Sequence, residues 1–120
     1  AMTQEIRPHY RLEAWKEAMA LVKSVYEVSR HFPAEERYGL TAQVQRSAVS
    51  VPSNVAEGAA RTGSREFAQF LNISRGSLSE LETQLLIAVE LGYLERNHPV
   101  ILSVDRVSRL VTGLHKSVKS

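Results

Sequence analysis

Phe67, Leu71, Ser74, Leu78, Leu81, Leu85 and Ala88 stand four and three residues apart in strict alternation. A strand presents every second residue to one face, so this spacing cannot serve a sheet. On a helix it draws a single stripe along one side. Val100, Val104, Val107, Val111, Leu114 and Val118 repeat the pattern near the C-terminal end. Long stripes of this kind bury themselves only against other long helices, packed at about +20°. No period-two run of useful length and no Asn-Gly or Asp-Gly turn competes with that reading. The spacing predicts four helices, no strands, and an all-α, antiparallel up-down-up-down four-helix bundle.

The first helix is expected from about Leu12 to Arg30. Its main line is Leu12, Trp15, Met19, Val22 and Tyr26, widened by Ala18, Leu21, Val25 and Val28, and it stops before Pro33. The second should begin between Ala34 and Tyr38 and end between Gly58 and Gly63. Pro52 in its interior cannot donate to the carbonyl of Ala48, so a bend is expected there. Ser64 reads as the N-cap of the third helix, and Leu91-Gly92 as its stop. Asn97 reads as the cap of a fourth helix entered at His98-Pro99. Residues 1–11 then form an N-terminal arm, with Ala1-Met2 a cloning remnant, and residues 12–120 form the bundle domain.

Composition removes several function classes. The 120 residues include no cysteine, which excludes a disulfide framework, a thiolate metal site and a cysteine nucleophile. No apolar run approaches the roughly 20 residues that span a bilayer, and a cytoplasmic location is expected. The four histidines stand at no shared ligand spacing, and Glu-x-x-His occurs once, at Glu95 to His98, without the second copy a di-iron bundle needs, so neither a metal nor another cofactor is expected. The net charge of +2 comes without any run of lysine or arginine. A basic surface would have to be assembled by folding or by oligomerisation.

Beside the apolar stripe Leu40, Val44, Ala48, Val51 and Val55 runs a second one, of Gln43, Arg46, Ser50, Asn54, Glu57 and Arg61. An ordinary surface helix scatters lysine and glutamate opposite its core face. Amides, a hydroxyl and a glutamate between two arginines, all in register, suit a contact with a second surface. Ser77, Glu80 and Gln84 recur at similar spacing on the third helix. They could complete an interhelical network in which Arg46 pairs with Glu57 or Glu80.

These residues resemble the family of 23S rRNA intervening-sequence proteins. The resemblance runs from about Trp15 to Leu94. It rests on Phe32-Pro33, Tyr38-Gly39-Leu40, the Gln43 to Arg46 pair, Ser50-Val-Pro-Ser-Asn54-Val-Ala-Glu57-Gly58 with Arg61, the run Phe67 to Leu71, and Gly76-Ser-Leu-Ser-Glu80-Leu-Glu82-Thr-Gln84-Leu85 followed by Glu90-Leu-Gly-Tyr93-Leu. It implies a small bacterial bundle protein that assembles as a ring, commonly a homopentamer. A more distant resemblance is to the basic pentameric accessory protein of diversity-generating retroelements. The chain departs from the family at Gln45-Arg46, where two arginines are frequent, and around Thr62 to Arg65, where lysines are.

Three readings of the polar stripe follow. In the first, Gln43, Arg46, Ser50, Asn54, Glu57, Glu80 and Gln84 form an oligomer interface or an interhelical network. In the second, Arg46, Arg61, Arg65 and Arg75 contact phosphates of ribosomal or other structured RNA, with Tyr10, Trp15 and Tyr38 available to stack on bases. A purely protein–protein scaffold is the alternative to that. The third, a small-molecule enzyme using Glu57 as general base, has no nucleophile motif or phosphate loop beside it. The expectation is a non-enzymatic, homo-oligomeric protein associated with RNA or a nucleoprotein.

Overall fold

The computed structural model describes residues 7–119, and the expected remnant Ala1-Met2 lies outside them. Four helices make an all-α four-helix bundle: α1 (Glu13–Ser29), α2 (Leu40–Ala59), α3 (Ser64–Glu90) and α4 (Pro99–Lys119). Of the expected arm, Pro8–Arg11 form a 3₁₀ turn in which His9 and Tyr10 pack on Trp15, with ring centroids 4.9 and 5.5 Å away. Each helix packs on two neighbours, α1 and α3 both on α2 and α4, and among the described residues no contact joins a diagonal pair. Bonded residues pair in opposite order along α2 and α3, Ser47 with Glu80, Ser50 with Ser77, Val51 with Ser74.

The heptads of α3 and α4 become the core. Leu71, Ser74, Leu78, Leu81, Leu85 and Ala88 are buried, as are Val100, Val104, Val107 and Val111. Leu40, Val44, Ala48, Val51 and Val55 of α2 complete it as expected. On α1 the order of the two lines is reversed. Ala14, Ala18, Leu21, Val25 and Val28 are buried, whereas Met19 and Tyr26 are 48% and 41% exposed. Trp15 and Val22 lie between, packed on the edge of the core. The helix is apolar over half its circumference, so spacing alone does not fix which line faces inward.

Three helix starts differ from expectation. Residues Ala34–Glu36 form a separate 3₁₀ turn, and α2 begins only after Gly39. The Glu36 carboxylate caps it, accepting the Leu40 N–H at 3.1 Å through one oxygen and the Tyr93 hydroxyl at 2.9 Å through the other. A Cβ on residue 39 would stand 2.9 Å from that first oxygen, which is why glycine fits there. Donating to a carboxylate holds the Tyr93 hydroxyl above its ordinary value near 10.0. Ser64 is the first helical residue of α3 rather than its cap. The capping position falls on Gly63, which has no side chain to offer. At α4 it is His98, not Asn97, that caps, its Nδ1 accepting the Val100 N–H at 3.0 Å. The stop at α3 is as expected. Gly92 takes φ 81° and the Tyr93 N–H reaches back to the Ala88 carbonyl at 2.8 Å, the Schellman arrangement.

The Glu36 bridge supports a quantitative expectation. Glu36→Ala removes a helix cap and the Tyr93 partner together, and should cost about 1–2 kcal/mol. Urea denaturation of the variant tests it, and an unchanged midpoint would show the bridge to be ornamental.

Candidate interaction face on α2 and α3

Pro52 sits inside α2 without interrupting it, and the backbone around it is served by neighbouring side chains. The Ser74 hydroxyl donates to the Val51 carbonyl at 2.9 Å, buried between the helices. The Asn54 amide nitrogen donates to the Ser50 carbonyl at 2.8 Å and to the Ser50 hydroxyl at 3.0 Å. Ser50 Oγ in turn lies 2.7 Å from Ser77 Oγ. Ser47 donates to Glu80 at 3.1 Å one turn further on. Of the expected set, Ser50, Asn54 and Glu80 take part in these bonds, a ladder of hydroxyls and amides with Ser47 as an unforeseen rung.

The charged members of the stripe behave otherwise. Glu57 pairs with Arg61 at 3.8 Å, both about half exposed, and the Arg61 guanidinium lies 4.9 Å above the Phe70 ring. Arg46 pairs with neither Glu57 nor Glu80 and forms no ion pair among the described residues. It lines an open depression of about 330 Å³ together with Gln43, Ser47, Ser50, Glu80 and Gln84. Gln84 is 7% exposed, and its Oε1 meets no donor among the described residues. A buried amide oxygen left unmatched costs about 1–3 kcal/mol.

Sequence reasoning passed over four residues of this face. Phe70, Ile73, Ser77, Glu80, Gln84, Ile87 and Leu91 form a second heptad on α3, displaced by one residue from the core stripe. Ile73, Ile87 and Leu91 are 50%, 43% and 54% exposed, so apolar side chains flank the polar ladder. The same 3-4 spacing that revealed the core would have revealed Phe70, Ile73, Ile87 and Leu91.

The four candidate phosphate-binding arginines are not gathered at one place. Arg46 and Arg61 belong to the α2 stripe. Arg65 and Arg75 line two depressions between α3 and α4. Tyr38 is 85% exposed beneath the Arg37 guanidinium, 5.4 Å from its ring centre, and Tyr10 and Trp15 belong to the N-terminal aromatic cluster. Among the described residues no group of three or more metal-ligating side chains occurs, and no helix is long and apolar enough to cross a membrane.

The sequence model described as "23S rRNA-intervening sequence protein" matches residues 10–113. The chain belongs to that family. A crystal structure of a protein of unknown function from the S23 ribosomal protein family of Bacteroides thetaiotaomicron has the same architecture. The two superpose with a TM-score of 0.79 at 17% identity, over 86% of this chain and 98% of that one. At that identity the likeness concerns the fold. No curated protein matches the sequence. The family match runs from before α1 into α4, so the ladder between α2 and α3 and the Gly92 stop lie inside it.

Proposed function

We propose that this chain is a non-enzymatic, homo-oligomeric bundle protein of the cytoplasm that acts as an assembly factor on RNA or a nucleoprotein, with the α2–α3 face as its subunit contact. The observation that carries the contact is the orphaned Gln84 oxygen in a depression shared with the unpaired Arg46, set between exposed Ile73 and Ile87. A second copy would cover the isoleucines, at about 25 cal/mol per Å² of apolar surface removed from water. It would also bring donors to Gln84. In this reading the copies number five, as in the rings that the family resemblance implies.

RNA as the partner is supported by the family description and by exposed arginines on a chain of net charge +2. When the α2–α3 face is covered, Arg65 and Arg75 on the other flank of α3 stay open, and a ring repeats each of them around its rim. Glu57 stands half exposed beside Arg61 and outside the depression, so nothing in its surroundings favours general-base chemistry.

Sedimentation velocity tests the contact. The wild type should sediment as a multiple of 13.4 kDa, and Ile73→Glu with Ile87→Glu, both at exposed positions, should release the monomer. A wild type that is monomeric at micromolar concentration would overturn the contact. Binding to a ribosomal RNA hairpin, titrated over salt, tests the partner. Affinity should fall steeply with salt, and Arg75→Ala should lower the slope by about 1. An intact oligomer that binds no RNA at low salt would leave a protein–protein scaffold.

A further inference from the structure

The α3–α4 flank carries an open cleft of about 300 Å³ whose polar lining is Ser64, Arg65, Gln69, Asn72, His115 and Lys119. It lies where the first turn of the 27-residue α3 meets the last turn of α4. Because Gly63 cannot cap, the N–H groups of Ser64 and Arg65 donate to no side chain among the described residues and are left at the end of the helix. A second feature is independent of the helix end. His115 is only 8% exposed, yet its ring hydrogen-bonds to no described residue and forms part of the cleft wall. Val111, one turn earlier on the same helix, is core. A buried imidazole in that series is out of place unless its nitrogen serves the cleft.

The remaining lining points the same way. Asn72 uses its Oδ1 to accept Arg75 at 3.0 Å, which leaves its amide N–H groups as donors. Arg65 and Lys119 take part in no ion pair among the described residues. Among the described residues no aspartate or glutamate lines the cleft, and Glu66, in the same first turn of α3, is not part of its wall. Among the described residues the site is thus built of donors and cations, with no anion to answer them.

We propose that this cleft binds a phosphomonoester, with the phosphate seated between the first turn of α3, Arg65, Lys119 and His115. The free N–H groups and positive end of a long helix favour an anion, and a doubly charged terminal phosphate gains more from them than a singly charged diester. Its three terminal oxygens also match the number of donors better than the two of a diester. Arginine and the backbone supply directed bonds, lysine a point charge.

His115 reports occupancy. Burial first, then the nearby Arg75 and Lys119 cations, hold it below its ordinary value near 6.5, so it is neutral in the empty cleft at neutral pH. Among the described residues the charged groups set against it are Arg65 in the cleft wall and the Arg75 and Lys119 cations. A bound dianion reverses their field and favours imidazolium. Phosphate should therefore raise the His115 titration midpoint.

The test is NMR observation of the His115 ring, identified by comparison with His115→Gln, while inorganic phosphate replaces chloride at constant ionic strength. The expected result is a saturable shift and a raised midpoint, with Arg65→Gln weakening binding at least tenfold and Lys23→Gln, an equal charge loss on α1, leaving it unchanged. A shift that never saturates, or equal losses in the two variants, overturns the site. Free phosphate tests the cleft whether or not the chain assembles on RNA. A 5′-phosphorylated RNA that competes with phosphate better than its 5′-hydroxyl counterpart would identify an RNA end as the source. Equal binding of adenosine monophosphate and phosphate with no RNA preference would identify a small phosphate ester.

Discussion

Gly58→Ala is expected to destabilise the protein by about 1–2 kcal/mol, although alanine is the better helix former by roughly 0.5–1 kcal/mol. The reason is the approach of α3. A Cβ on residue 58 would stand 2.7 Å from the Phe70 Cβ and 2.9 Å from the Phe67 ring, with the Phe67 carbonyl at 3.3 Å. The first of these neighbours is anchored to the backbone and cannot swing aside. Overpacking of this kind costs about 1–3 kcal/mol, more than propensity returns. Gly113, inside α4, has nothing within 4 Å of the same added atom. Gly113→Ala should therefore stabilise by about 0.5–1 kcal/mol. Two identical substitutions of opposite sign make a sharp comparison by urea denaturation. If both variants were stabilised, the close approach of α2 and α3 at Gly58 would not be a packing constraint.

The second large effect separates the two apolar lines of α1. Leu21 is 1% exposed and Met19 is 48% exposed. Leu21→Ala should cost about 2.7–5 kcal/mol, the range for leucine truncation in a packed core. In a domain of this size that lowers the melting temperature by about 10–20 °C. Met19→Ala should stay within about 0.5 kcal/mol of the wild type, as surface changes do. Thermal unfolding by circular dichroism decides it. Equal losses in the two variants would mean that Met19 is covered in solution, which would move the subunit contact to the α1 surface.

That second pair also marks where sequence reading runs out. On α3 and α4 a narrow apolar stripe faces mostly polar residues, so the heptad names the core unaided. On α1 two adjacent stripes share the 3-4 spacing, and only the positions of α2 and α4 choose between them. Caps show the same division. Gly92 was legible because a local backbone conformation demands glycine. Glu36 was not, since its second oxygen is claimed by Tyr93, 57 residues away in the chain. The polar stripe of α2 was legible as a stripe, and its tie to Ser77 and Glu80 followed from spacing. Its internal chemistry was not, because whether Arg46 meets a carboxylate depends on how deeply Glu80 is engaged by Ser47. The α3–α4 cleft left no trace in spacing at all. His115 falls one position beyond Leu114, the residue the heptad selects, and its burial comes from the placement of α3.

The Glu36–Tyr93 bond has one more consequence. It fastens the α1–α2 connection to the α3–α4 connection, and Phe32 packs its ring 5.8 Å from Tyr93 beside it. That end of the bundle is latched. At the far end α3 starts without a cap and α4 runs out beside it. Opening of a native protein begins where the fewest bonds must break. The bundle therefore frays from one end only, and amide exchange should travel from that end toward the latch.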